Sequence, residues 1–217
     1  AHSASGTWLV KFAGLGQRAR QRVECARVLG EAGFCAELAG LRHGFLVERW
    51  HGEMTPLSRT NWRATVAPDL LLARLAQYIA FRALHLPAAP EDGASLDDLA
   101  GMARHNSAQA LGADARRGWE AHCGRARTLQ AHVRRVRTDN RMHAWEWIAR
   151  GPTLLKTDAV DHHAGHDLIG CQDPAWDVAG AVAEFALTGA DLAVLVAHLA
   201  RNGCQVDLAL VDFYRPA

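Results

Sequence analysis

The chain has 217 residues, 22% of them charged, and a formal net charge of +1. This length allows one large domain or two small lobes with a buried core, and the charged fraction is typical of globular proteins rather than of disordered or fibrous chains. A net charge so close to zero argues against a surface dedicated to nucleic acid or to an anionic membrane. We therefore expect a globular protein with neither a nucleic-acid nor a membrane partner.

Five scattered cysteines bear on the cellular compartment. They are odd in number and form no Cys-x-x-Cys pair (Cys25, Cys35, Cys123, Cys171 and Cys204). This usage is typical of reduced thiols in a cytoplasmic protein. No apolar run in the sequence reaches the ~18 residues that cross a bilayer, and residues 1–30 lack the pattern of a signal peptide. The sequence therefore predicts a cytoplasmic protein.

The chain opens with a predicted strand that contains a lysine. Residues 7–12 read Thr-Trp-Leu-Val-Lys-Phe, an apolar run with Lys11 inside it. Residues 1–4 have the composition of the tail of an earlier strand that pairs with this one. Because the chain would then start in the middle of a sheet, we expect an N-terminal part that is truncated at its start.

One helix and two further strands are predicted next. The helix covers residues 17–32 and is ended by Gly33, a residue typical of helix C-termini. Residues 34–38 and 44–50 predict two strands, joined by a turn at residues 40–43. The N-terminal part is therefore a small sheet with one helix.

Lys11 and Glu24 form the first pair with a chemical interpretation. Glu24 lies on the predicted helix, and a strand lysine met by a helix glutamate can hold phosphate oxygens. The alternative is an edge-strand lysine that faces solvent. The residues alone leave both interpretations open.

The composition changes after residue 52. Residues 52–56 read Gly-Glu-Met-Thr-Pro, and the sequence beyond them has a helical character. We therefore predict an N-terminal part at residues 1–52 and a helical C-terminal lobe at residues 53–217. Helices are predicted over residues 68–84, from 95 onward, over 113–137, from 174 onward, over 192–199 and over 207–214.

A second chemical motif lies in residues 137–147, Arg-Thr-Asp-Asn-Arg-Met-His-Ala-Trp-Glu-Trp. One interpretation is a capping turn with aromatic side chains packed beneath it. The other is a catalytic loop in which Asp139 orients a substrate hydroxyl or accepts its proton. In that case His143 or Glu146 would reach a metal ion. Both interpretations remain open at this point.

A dense cluster of ionisable groups follows a predicted strand end at residues 154–155. Its members are Asp158, Asp161, His162, His163, His166 and Asp167. Such a cluster needs a counter-charge, and a divalent cation is the usual one. The spacing of the histidines fits no zinc signature, and the alternative to a metal site is a solvated histidine-rich loop. The predicted metal ligands are Asp158, Glu146, Asp161 and His163.

The segment Asp173-Pro-Ala-Trp-Asp177 predicts the start of a buried helix. Proline is favoured in the first turn of a helix, and aspartate there is stabilised by the free N–H groups and by the helix dipole. A structural role is therefore predicted for both aspartates. We expect Asp177 to be buried and to accept hydrogen bonds from the backbone near residues 137–140.

These features, in this order, resemble the aminoglycoside phosphotransferase and choline kinase branch of the protein-kinase-like fold. The clearest match is residues 170–179, Gly-Cys-Gln-Asp-Pro-Ala-Trp-Asp-Val-Ala, which are similar to the Gly-Asp-Pro-Ala-Trp-Asp-Leu-Ala segment of that family. Residues 10–11 are similar to its nucleotide-lysine strand, and residues 44–52 are similar to the strand that leads into its hinge.

The resemblance implies a role for each of five residues. Lys11 would bind the nucleotide phosphates, with Glu24 as its helix partner. Asp139 would be the catalytic base and Asp158 a metal ligand. Asp177 would brace the catalytic loop. The implied cofactors are ATP and Mg²⁺, and the implied partner is a small-molecule substrate.

The sequence departs from the family in the catalytic loop. The family reads His-Gly-Asp and has an asparagine five residues after the aspartate, whereas Arg137 and Thr138 precede Asp139 here and Ala144 takes the place of the asparagine. Glu146 can substitute as an oxygen ligand, since Mg²⁺ accepts carboxylates.

The predicted fold is α+β, bilobal and protein-kinase-like, with a small N-terminal sheet plus helix and a larger, mainly helical C-terminal lobe. The first predicted function is ATP- and Mg²⁺-dependent phosphoryl transfer to a small-molecule hydroxyl. The second is a catalytically silent kinase-like binding domain, which Ala144 favours. The third is a metal-dependent hydrolase that uses the cluster at residues 158–167.

Overall fold

A computed structural model describes residues 1–3, 6–112, 114, 119–165 and 169–215. The chain divides into two compact units. The first comprises residues 1–71 and 143–161, and the second comprises residues 72–142 and 162–217. The lobe boundary predicted at residues 52 and 53 stays a prediction.

The first unit contains a four-stranded antiparallel sheet with the strand order β1-β2-β4-β3. Its strands are β1 (His2–Ser3), β2 (Gly6–Phe12), β3 (Leu38–Arg42) and β4 (Phe45–Arg49). The pairing of β1 with β2 confirms that the first residues form a strand against the Lys11 strand. One face of this sheet covers a small core that includes Ala13, Ala26 and Leu46.

Helix α1 (Gln17–Glu31) follows β2 and confirms the predicted helix. Gly33 ends it with φ 73°, a left-handed conformation that glycine adopts without steric cost. The N–H of Phe34 then donates to the carbonyl of Leu29 at 2.9 Å, which closes the helix with a Schellman-type bond.

The predicted strand at residues 34–38 and the predicted turn at residues 40–43 are wrong. The strand is β3, Leu38–Arg42, and the turn to β4 is made by His43 and Gly44. Both turn residues have positive φ, 49° and 82°, as expected of a two-residue hairpin. Gly40 lies instead at an irregularity in the β3–β4 register, since an isolated glycine in a strand can mark a bulge rather than a turn.

A second, three-stranded sheet also belongs to the first unit. It has the order β5-β6-β7 and is formed by β5 (Thr55–Pro56), β6 (Trp147–Arg150) and β7 (Thr153–Lys156). The strand end predicted at residues 154–155 is thus confirmed in place. The hairpin sets Glu146 immediately before β6 and Asp158 two residues beyond β7.

The described chain also contains seven further α-helices. They are α2 (Trp62–Thr65), α3 (Pro68–His85), α4 (Leu96–Leu111), α5 (Glu120–Leu129), α6 (Pro174–Glu184), α7 (Gly189–Arg201) and α8 (Leu208–Tyr214). Ser95 caps α4 together with Asp98 in a reciprocal capping box, and Pro174 opens α6 as predicted. Across the described ranges, no helix combines the length and apolarity needed to cross a membrane.

The long helix predicted over residues 113–137 is wrong beyond residue 132, where the short 3-10 helix (Gln130–His132) that follows α5 ends. Helix α5 ends at Leu129, and residues 113 and 115–118 lie outside the described residues. From Arg134 onward the backbone is bound to other segments, for example the Val136 N–H to the Gln172 carbonyl at 3.0 Å and the Arg137 N–H to the Leu86 carbonyl at 2.8 Å. These long-range bonds outweigh the helical pattern of the sequence.

Candidate active site

Residues 137–140, called the Asp139 turn below, are held from one side by Asp177. One oxygen of the Asp177 carboxylate accepts the N–H of Asp139 at 2.8 Å, and the other accepts the N–H of Asn140 at 3.0 Å. Asn140 adopts φ 66°, and successive N–H groups in such a turn form a concavity that binds an anion. Asp177 is 1% exposed. The prediction that it is buried and bonded to this backbone is confirmed.

Arg82 of α3 holds the same turn through its carbonyl groups. Its Nε donates to the Arg137 carbonyl at 2.8 Å, and its Nη2 donates to the Thr138 carbonyl at 3.1 Å. Its Nη1 donates to the Tyr78 hydroxyl at 2.6 Å and lies 3.8 Å from Asp139 Oδ2. Arg82 is 1% exposed, so a buried guanidinium and a buried carboxylate together fix both sides of the turn.

The Asp139 carboxylate is fully buried and is hydrogen-bonded through both oxygens. The Tyr78 hydroxyl donates to Oδ2 in a very short bond. The Arg141 N–H donates to Oδ1 at 3.2 Å, and Nδ1 of His162 lies at the same distance from that oxygen. Neither Tyr78 nor Arg82 was among the residues predicted from the sequence. Their signal was a polar pair at i, i+4 spacing within the largely apolar helix α3.

The electrostatics of the Asp139 turn depend on the buried guanidinium of Arg82. Burial, and secondarily the negative charge of Asp139, raise the pKa of Asp177 to about 6, while Arg82 and the two backbone N–H groups oppose the rise. Two carboxylates so close together require a counter-cation, because a buried unpaired charge is strongly destabilising. Arg82 is the side chain that supplies this charge.

Replacing Asp177 with alanine is expected to lower the free energy of unfolding by roughly 1–3 kcal/mol, since it leaves two N–H groups, one of them fully buried, without an acceptor. Urea denaturation followed by tryptophan fluorescence would measure the change. A variant that is as stable as the wild type but inactive would contradict a bracing role and point to direct chemistry by Asp177.

Lys11 lies between two carboxylates of the first unit. Its Nζ is 3.4 Å from Asp158 Oδ1 and 3.7 Å from Glu48 Oε2. The predicted pairing of Lys11 with Glu24 is wrong. Glu24 is bound to Arg27 at 2.7 Å on the exposed face of α1, because a partner three residues away on the same helix is closer than one on the sheet.

Glu146 is paired with a lysine that the sequence analysis did not single out. Nζ of Lys156 lies 2.5 Å from Glu146 Oε2 and donates to the Asp158 carbonyl at 2.7 Å. Lys156 is fully buried at the end of β7, and Glu146 is 9% exposed. The carboxylate of Glu146 therefore has a resident cation, and the same cation fixes the backbone of Asp158.

The remaining predicted metal ligand of the first unit is Asp161, which is paired with an arginine. Its carboxylate lies 2.6 Å from Nη2 of Arg22 on α1. Carboxylate oxygens of Asp158 and Asp161 lie within 4.8 Å of each other. The structure thus brings these two predicted ligands together, each already facing one basic side chain.

The histidines of the predicted cluster are only partly described. Burial, with a further contribution from Arg82 and Arg137, lowers the pKa of His163 to about 3, so this imidazole is neutral at physiological pH. Its Nδ1 is buried and has no hydrogen-bond partner among the described residues. His166 and Asp167 lie outside the described residues. The metal role of His163 stays a prediction.

Comparison with solved structures gives the fold. The choline kinase LicA from Streptococcus pneumoniae matches with a TM-score of 0.64 at 15% identity, over 95% of this chain and 72% of that one. A choline/ethanolamine kinase family protein from Mesorhizobium loti matches with 0.58 at 14% identity, over 96% and 68%. A glucosamine kinase matches with 0.52 at 18% identity, over 96% and 59%. The chain has the fold of these kinases.

This likeness confirms the predicted α+β kinase-like fold. LicA has also been solved in complex with AMP, and glucosamine kinase in complex with glucosamine, ADP and inorganic phosphate. No protein-family model matches the sequence, and no curated protein matches it. The resemblance read from residues 170–179 and the likeness in three dimensions thus agree at the level of the fold.

Proposed function

We propose that the chain is a phosphotransferase that uses ATP and Mg²⁺ to phosphorylate a hydroxyl group of a small molecule. The observation that carries this proposal is the pairing of Lys11 with Asp158 at 3.4 Å. These residues are 147 positions apart, and the sequence resemblance assigns Lys11 to the nucleotide phosphates and Asp158 to the metal. Their proximity on the kinase-like fold supports both assignments.

The proposed roles follow from the chemistry of phosphoryl transfer, which depends on positioning and on charge neutralisation. Lys11 would contact the phosphates, and its side chain is 33% exposed, so the ammonium is accessible to a ligand. Asp139 would orient the acceptor hydroxyl and take its proton. The bracing of the Asp139 turn by Arg82 and Asp177 supports this role, because a base must be held in one position to be effective.

Asp158 and Asp161 are the proposed holders of Mg²⁺. Their oxygens lie within 4.8 Å of each other, the Asp158 side chain is 46% exposed, and carboxylate oxygens are the ligands Mg²⁺ prefers. A bound ion would supply charge neutralisation for the phosphates. Glu146 fits this role less well, since its carboxylate already binds the buried ammonium of Lys156.

Nucleotide binding tests the first half of the proposal. We expect isothermal titration with ATP and Mg²⁺ to give a measurable Kd that rises about tenfold or more in Lys11→Met, the loss of a charge-assisted phosphate contact. The control is Arg20→Met, which removes an exposed arginine of α1. An unchanged Kd in this variant would show that the effect is specific to Lys11. Tight binding that survives Lys11→Met would contradict the role of Lys11.

A second candidate function, a catalytically silent kinase-like binding domain, is favoured by the burial of Asp139. Its carboxylate is 0% exposed and is bonded to the Tyr78 hydroxyl and the His162 imidazole. Ala144 also stands where the resemblance implies a metal-binding asparagine. An acceptor hydroxyl would have to displace one of these partners before Asp139 could receive its proton.

Turnover separates the two functions. The assay follows ADP release from ATP and Mg²⁺ in the presence of choline, ethanolamine or glucosamine, the acceptor types named for the structurally similar kinases. Acceptor-dependent ADP release supports the phosphotransferase. Nucleotide binding without ADP release for any small-molecule hydroxyl supports the silent domain.

A further inference from the structure

The sheet of the first unit places a glutamate beside Lys11 that the resemblance does not assign. On the paired strands β2 and β4, Lys11 lies opposite Leu46, and Leu9 lies opposite Glu48. Residues directly opposite each other, and residues two apart on one strand, share a face of a sheet. Lys11 and Glu48 are therefore diagonal neighbours on the same face, within reach for two long side chains.

Burial distinguishes Glu48 from Glu24, the glutamate that was expected to pair with Lys11. The Glu48 side chain is 12% exposed and lies 3.7 Å from Nζ of Lys11. Burial raises the pKa of its carboxyl group, and the charge of Lys11 opposes the rise. The Glu24 side chain is 61% exposed and is paired with Arg27. Of these two glutamates, Glu48 is the one that is both close to Lys11 and shielded from water.

We propose that Glu48 is the positioning residue for Lys11 and does on β4 what the resemblance assigns to a glutamate of the helix. Glu48 and Asp158 hold the ammonium from two sides, so that Lys11 is presented to the nucleotide phosphates in a defined direction. Because β4 is a neighbouring strand of the same sheet, this partner moves with Lys11. The inference rests on the proposed function, since that function gives the Lys11 ammonium a nucleotide phosphate to bind.

A double-mutant cycle tests the inference. Glu48→Gln is expected to raise the Kd for ATP and Mg²⁺ about two- to fivefold, the range of a partly exposed ion pair that acts through its partner. In the Lys11→Met background the same substitution is expected to have no further effect, because a residue that acts through Lys11 has nothing left to position. Glu24→Gln is the matched control and should leave Kd unchanged in both backgrounds.

A second readout follows Lys11 itself. Acetic anhydride labelling, quantified at Lys11 by mass spectrometry without nucleotide, should be faster in Glu48→Gln than in wild type and unchanged in Glu24→Gln. Glu48→Gln removes the charge of one of the two carboxylates that contact the ammonium, so the amine is held less firmly and is more accessible to the reagent.

The outcomes separate the inference from the proposed function. Equal weakening of binding by Glu48→Gln with and without Lys11 would overturn the inference and mark Glu48 as merely structural. An unchanged labelling rate of Lys11 would overturn it as well. Faster labelling in Glu48→Gln together with no nucleotide binding by the wild-type chain would overturn the proposed function, and with it the nucleotide role given to Glu48, while the ion pair itself stands.

Discussion

Replacing Arg82 with methionine is expected to lower the free energy of unfolding by about 3–5 kcal/mol, the usual cost of leaving a buried charge unpaired. Arg82 is 1% exposed and lies 3.8 Å from the Asp139 carboxylate, and its charge also acts on Asp177. Methionine fills much of the same volume but cannot bind the carbonyls of Arg137 and Thr138. The variant therefore loses the cation and three hydrogen bonds together, the third being the bond to the Tyr78 hydroxyl.

Urea denaturation of Arg82→Met, followed by tryptophan fluorescence, measures this loss. Arg104 is an exposed arginine on α4, and Arg104→Met is expected to change the free energy of unfolding by no more than about 0.5 kcal/mol. Equal stability of the two variants would show that the Asp139 turn does not depend on the buried guanidinium.

The second large effect is expected at Lys156. Lys156→Met leaves the Glu146 carboxylate without its cation in a site where Lys156 is fully buried and Glu146 is 9% exposed. The expected loss of unfolding free energy is again about 3–5 kcal/mol. It also removes the bond from Nζ to the Asp158 carbonyl, so the segment after β7 should become more susceptible to proteolysis.

The double variant Lys156→Met with Glu146→Leu provides the control for this prediction. An apolar pair often replaces a buried ion pair at little or no cost, so the double variant should regain most of the stability lost in the single one. Thermal denaturation of the two variants makes the comparison. A double variant that is no more stable than Lys156→Met would mean that the loss comes from the lysine stem or from the Asp158 carbonyl, rather than from the unpaired charge.

Features that depend on neighbouring residues were predictable from the sequence. The start of α6 could be read from Asp173 and Pro174, because a capping aspartate and a proline in the first turn act within a few residues. The resemblance implied that Asp177 braces the catalytic loop, and its two hydrogen bonds to the backbone agree with that role. Of the two strands in the hairpin β6–β7, only the second was predicted from the sequence.

Features that depend on distant partners could not be predicted in the same way. Arg82 binds carbonyls 55 and 56 residues away, and nothing in the local sequence of α3 names those partners. The glutamate expected beside Lys11 was chosen from the order of elements, and strand pairing brings Glu48 there instead. Residues 134–137 carry a helical pattern, yet their backbone groups bond to other segments.

A comparison of turnover by the wild type and by Asp139→Asn tests whether Asp139 is the base of a phosphotransferase. We expect acceptor-dependent ADP release by the wild type and a rate about 10²–10⁴-fold lower in Asp139→Asn, the usual contribution of a general base, with the Kd for ATP and Mg²⁺ unchanged. Wild-type turnover by Asp139→Asn would contradict the account.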